Sequence, residues 1–156
     1  MTNPTFQTIE KVDSIKKVIK NLFDVDLNVS GGWGYDEKSA TVVESLDDAH
    51  IEQFLHMFAS IRANIEMNAT LDEEERYGGI NLTFKEKKTL SIDKKTYTIV
   101  TFTISAMKEN DYAKFIKEYK ENYGKKEFDL TNHFKKRKEH TLSREVDYWF
   151  DDLDFI

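Results

Sequence analysis

Between Gly78 and Met107 the chain alternates so regularly that few arrangements fit it: two long β-strands joined near Asp93-Lys94-Lys95. In the second arm Val100, Phe102, Ile104 and Ala106 share one face, and Thr101, Thr103 and Ser105 the other. In the first arm Ile80, Leu82 and Phe84 oppose Asn81, Thr83 and Lys85. Successive side chains point to opposite sides of a strand, so this pattern makes one buried face and one wet face. A lone hairpin is barely stable in water. The rest of the chain must therefore supply helices and further strands to cover it.

The flanking segments supply both. Asn3-Pro4 predicts a helix start, Asn capping and Pro in the first turn. Apolar residues at helical spacing from Phe6 through Ile9, Val12, Ile15 and Ile19 carry that helix to Phe23, with Asp13-Ser14 as an alternative cap for a shorter one. Val25, Leu27 and Val29 alternate as a strand, and Asp36-Glu37-Lys38 turns the chain into a returning strand at Ala40, Val42 and Val43. Ser45-Leu46-Asp47-Asp48 reads as a capping box. It opens a helix to Asn68 with a wide apolar stripe from Ile51 through Phe54, Phe58 and Ile61 to Ile65. Asn110 or Asp111 caps a helix striped by Tyr112, Phe115, Ile116, Tyr119 and Tyr123, and Gly124 ends it. A short basic helix over Leu130–His140 precedes a strand in which Val146, Tyr148 and Phe150 alternate with Asp147, Trp149 and Asp151.

This order predicts a single α+β domain over residues 1–156, with an antiparallel sheet of about five strands. Two ββα-like units build it, each opening on Gly-Gly, with helices packed mainly on one face and an acidic aromatic tail at 151–156. With 39% hydrophobic and 13% aromatic residues, a chain of 156 residues has the material for one core. The absence of cysteine removes disulfides and thiolate chemistry and fits a reducing compartment. The amino terminus has no basic start followed by an apolar run, and no stretch nears the ~20 apolar residues of a membrane helix. A cytoplasmic protein without membrane contact is expected.

Charge is unevenly spread. The net −6 opposes nucleic-acid binding. Residues 1–77 carry 7 basic against 15 acidic side chains, residues 78–107 carry 5 against 2, residues 108–144 carry 11 against 7, and the last twelve carry none against 5.

The motifs argue against most chemistry. Gly31-Gly32-Trp33-Gly34-Tyr35 lacks both the G-x-G-x-x-G spacing and the Lys-Ser/Thr of phosphate loops, so its glycines serve a bulge or a close backbone approach. Trp33 and Tyr35 are then either core or an aromatic pair facing a small ligand. His50 and His56 are six apart, off the i, i+4 spacing of zinc motifs, and Lys135, Lys136, Arg137 and Lys138 would repel a cation beside His133 and His140. All four histidines are expected on the surface. Asp151-Asp152-Leu153-Asp154 lacks the order of an EF-hand loop. No catalytic set, metal set or cofactor motif emerges.

What remains is a protein-binding domain. Carboxylates around aromatic anchors suit a partner with a basic surface, in the manner of an inhibitor or immunity-type protein neutralising a nuclease toxin. The expected contacts are Asp47, Asp48, Asp72, Glu73, Glu74, Glu75, Asp147, Trp149, Asp151, Asp152 and Asp154, with DYWFDDLDFI either a core strand or a segment docking onto its partner. The alternatives are a metal-assisted hydrolase or transferase with a carboxylate site, and a regulatory domain binding a small ligand at Trp33 and Tyr35. Edge strands leave a homodimer open.

Overall fold

The computed structural model describes residues 6–153. Its elements run α1 (Ile15–Phe23), β1 (Asn28–Gly31), β2 (Thr41–Ser45), α2 (Ile51–Asn64), β3 (Tyr77–Ile92), β4 (Lys95–Lys108), α3 (Glu109–Asn122), α4 (Leu130–His140) and β5 (Leu142–Asp151). A π-helical turn, Ile65–Ala69, extends α2. This is the expected α+β class. No helix among the described residues is long and apolar enough to cross a membrane.

The two hairpins form as the alternation requires, but they do not meet. The sheet order is β1-β2-β5-β4-β3, so the last strand in sequence stands between them. β5 pairs antiparallel with β4 from Tyr97↔Asp151 to Ala106↔Leu142 and parallel with β2 at Thr41↔Phe150. The sheet is therefore mixed rather than wholly antiparallel. Burial explains the position: Val146, Tyr148 and Phe150 are all core residues, and a strand with one fully buried face is best placed inside a sheet. The docking-segment reading of these aromatics is thereby corrected: β4 pairs β5 along its length, β2 joins it at Phe150, and Val146, Tyr148 and Phe150 are core. At its end Leu153 is buried and donates its backbone N–H to Thr98 Oγ1 at 3.1 Å. Asp154 lies outside the described residues.

Helix α2 lies over the core face, where Phe58 meets Phe150 at 5.6 Å and Trp33 at 6.3 Å between ring centroids. The Tyr148 hydroxyl donates to the Ala59 carbonyl at 3.1 Å, fixing the helix on the sheet. Ile15 and Ile19 of α1 complete the layer. Each such large side chain contributes about 1.5–3 kcal/mol on burial.

The amino-terminal helix is shorter than its pattern suggested. It starts at Ile15, capped by Ser14, whose hydroxyl accepts the Lys17 N–H at 3.2 Å. Ahead of it Phe6, Ile9 and Val12 are not helical, yet each is partly buried against the core. Their apolar area is buried without a helix, and tertiary contact overrides local propensity. Asn3 and Pro4, the expected cap, lie outside the described residues. The capping box at Ser45–Asp48 does not form either. His50 occupies the cap of α2 with no side-chain bond, while Asp47 and Asp48 turn left-handed at φ 49° and 69° with Ala49 N–H bonded to the Leu46 carbonyl.

Candidate functional site

Three places gather the chemistry. The first is an apolar depression of about 290 Å³ between the α1–β1 connection, the β2–α2 connection and the first turns of α2, floored by Val25, Leu46, Phe54 and Met57 and walled by Asp26 and Asp47. The Asp47 carboxylate is held by Ser45 Oγ at 3.2 Å and by the Asn28 amide. Asp24 and Asp26 both reach Lys20, at 3.0 and 3.3 Å. With Asp48 exposed beside them, the local acids outnumber Lys16 and Lys20. Met57 is 46% exposed. An exposed apolar patch with a polar rim is the usual form of a protein-binding hot spot.

The second place is the loop after β1. Gly34 adopts φ 87°, and a Cβ there would sit 2.7 Å from the Trp149 carbonyl. Gly34 also accepts the Trp149 N–H at 2.8 Å. This contact needs glycine, and it ties the loop to β5. It presents Tyr35 to a cleft of about 760 Å³ whose lining includes Ile9, Val12, Trp33 and Lys38. Trp33 itself is core, and its indole Nε1 is buried with no partner among the described residues.

Behind Tyr35 lies a charge network that sequence reading missed. Glu66 is 2% exposed and accepts from Arg62 Nε at 3.2 Å, Arg144 Nη1 at 3.4 Å and the Tyr35 hydroxyl at 2.5 Å. The Arg62 guanidinium lies between the rings of Tyr35 and Tyr148, 4.0 Å from each centroid. It also donates to the carbonyls of Trp33, Gly34 and Asp147. Arg144 stacks on Phe6 at 4.3 Å, and its Nε is buried with no partner among the described residues. Burial first, and then the Glu66 carboxylate, push the Tyr35 phenol well above its ordinary value, and burial does the same to Tyr148. The visible signal was Arg62 on the apolar stripe, four residues after Phe58 and before Glu66. A charge placed there must find its partners indoors.

The third place is the sheet face away from α2. Along β5, Glu145, Asp147 and Trp149 point to it, opposite the core residues. Trp149 meets Tyr97 edge-on at 5.9 Å, Asp147 accepts the Thr101 hydroxyl at 2.6 Å, and Asp151 bridges Lys95 at 3.3 Å. Asp151 and Asp152 line a groove with Val42, Lys94 and Lys95.

The expected partner-binding residues thus divide. Asp47 and Asp48 lie toward the same end of the sheet as Asp151 and Asp152, and Asp147 and Trp149 follow along β5. Asp72 caps a single 3₁₀ turn, Glu73–Glu75, just ahead of β3, where Glu75 bridges Lys108 at 2.8 Å. That end is roughly 30 Å away along β5 at ~3.3 Å per residue. One surface cannot easily use both.

The histidines need one correction. His133 is not on the surface: it is 1% exposed, ringed by Phe115, Tyr119, Phe128 and Phe134. Its Nδ1 meets Glu118 Oε1 at 3.1 Å, and its Nε2 is buried with no partner among the described residues. The aromatic stripe of α3 buries it, a contact between two helices that neither helix pattern reveals alone. Comparison with known proteins finds no match among family models, curated proteins or solved structures.

Proposed function

We propose that this chain is a binding domain for a protein with a basic surface, of the inhibitor or immunity type that would neutralise a partner such as a nuclease toxin. The observation that carries the reading is the depression at Val25, Leu46 and Met57 with Asp24, Asp26, Asp47 and Asp48 around it. Apolar floor and acidic rim combine a desolvated anchor with charges that steer a cationic partner. Asp47 and Asp48 add a second sign. Each holds a left-handed backbone that non-glycine residues seldom adopt, at a cost of order 1 kcal/mol, and such strain gathers at working surfaces.

The test is a tagged pull-down from the native host at low salt, repeated at ~0.5 M salt where exposed charge pairs are screened. A single stoichiometric partner is expected, weakened by salt and lost to the variant carrying Asp26→Asn, Asp47→Asn and Asp48→Asn. A partner retained equally by that variant removes the electrostatic reading.

The cleft beside Tyr35 favours a second reading, a regulatory domain for a small ligand. Its volume falls within the range of ligand sites, and Tyr35 couples it to Glu66. A thermal-shift screen of small metabolites discriminates: stabilisation abolished by Tyr35→Ala supports the ligand, and a flat screen leaves protein binding.

A further inference from the structure

We propose that the outer edge of β3 seats an extended acidic peptide, which adds to the sheet as a sixth strand and lays apolar side chains into the groove between β3 and α2. This surface is separate from the acidic depression and has the opposite charge.

β3 is the last strand on its side of the sheet. From Thr83 to Ser91 every residue is exposed, although β4 beside it is buried along most of its length. His56 Nε2 lies 3.2 Å from the Leu82 carbonyl. Among the described residues, no hydrogen bond reaches the backbone beyond it other than those to β4. An unpaired run of N–H and C=O groups is a template for another strand. Beside it runs a groove of about 460 Å³ lined by Ile51, Leu55, Phe84, Phe102, Lys87 and His56, closed by Glu52 at the start of α2. Phe84 stands 56% exposed at its wall and Leu90 is 41% exposed further along. A strand added here places alternate side chains over the groove and the others over the open face.

Charge selects the occupant. Lys85, Lys87 and Lys88 line this edge against Glu86. Lys85 is engaged by Glu145, while Lys87 and Lys88 make no ion pair among the described residues. The register shift between Phe84 and Glu86 puts Lys87 on the groove side, opposite Val100, and Lys88 on the other, opposite Ile99. An incoming strand therefore meets an ammonium group on each face. Two copies of this basic edge would repel each other, so a second copy of β3 is disfavoured, and an acidic strand with alternate apolar residues is the complement.

The probe is the capped peptide Asp-Val-Asp-Val-Asp-Val-Asp at millimolar concentration, read by amide hydrogen exchange. Exchange of the outward-facing amides between residues 84 and 92, those not bonded to β4, is expected to slow by about tenfold, and the matching Lys-Val peptide should leave them unchanged. The paired substitution Lys87→Glu with Lys88→Glu should weaken the acidic peptide about tenfold at low salt, at somewhat under 1 kcal/mol per exposed charge. Phe84→Ser should weaken it as well, with a melting temperature close to the parent's. The proposal is overturned if the acidic peptide protects nothing on β3, if both peptides protect alike, or if charge reversal has no effect.

Discussion

Removing the carboxylate of Glu66 while keeping its shape tests how the interior is held together. Glu66→Gln leaves two guanidinium groups, Arg62 and Arg144, in a site where they are 2% and 7% exposed. At about 4 Å and an effective dielectric near 20, each pair is worth about 4 kcal/mol before desolvation is counted. Breaking a buried pair typically costs about 3–5 kcal/mol, since the stranded charge stays buried. Arg62 retains three carbonyls and two ring faces, which moderates its loss. Arg144 retains only the Phe6 ring among its described contacts. We therefore expect a loss of about 3 kcal/mol. With a urea slope of about 2 kcal/mol/M, the midpoint should fall by roughly 1.5 M at unchanged slope. The order of variants matters as much. Among the described residues the network holds two cations and one anion, so Arg144→Met removes the excess charge and should cost less than Glu66→Gln. Arg62→Met, which opens every contact at once, should cost most. A Glu66→Gln loss under about 1 kcal/mol, or Arg144→Met as the worst of the three, would refute the reading of a desolvated network.

Tyr35 and Tyr148 set the alkaline limit. Their folded-state phenols titrate above the unfolded value of about 10, so their contribution is complete below pH ~10 and is lost as pH rises above it. Urea midpoints should be flat from pH 7 to 9 and fall above 10, less steeply in Tyr35→Phe. Lys94 turns left-handed at φ 68° in the two-residue link of the long hairpin, so Lys94→Gly should stabilise by about 0.5–1 kcal/mol, read as a rise in melting temperature. Gly34→Ala should cost about 2–4 kcal/mol, because the Trp149 carbonyl blocks the new methyl. Gly124→Ala, with φ 83° but open space, should cost about 1 kcal/mol. Equal losses at the two glycines in chemical denaturation would discard the close-approach argument.

The alternation from Gly78 to Met107, the stripe of α2 and the basic helix from Leu130 to His140 were legible because each declares its own period. The register of the sheet was not. Nothing local in Val146–Phe150 says that it pairs with β4 on one side and β2 on the other, since that choice depends on partners some forty to a hundred residues away. Phe6, Ile9 and Val12 mimic a helical stripe while packing against the core without a helix. The acids suffered the same limit. Composition put Asp72–Glu75 and Asp151–Asp152 in one set, and the sheet places them at different ends. The buried network was partly legible through Arg62 and Glu66 at i, i+4, but Arg144 lies 78 positions beyond Glu66 and only the fold brings it in.

The central place of β5 has a consequence for how the chain is made. Until residues 142–151 leave the ribosome, both hairpins can form but neither can dock, and the facing edges of β2 and β4 stand open together. Closing the sheet then requires contacts between Thr41 and Phe150, more than a hundred residues apart, and such late, long-range pairing is intrinsically slow. During synthesis the nascent chain is therefore most exposed to misassociation in the interval between finishing α4 and finishing β5.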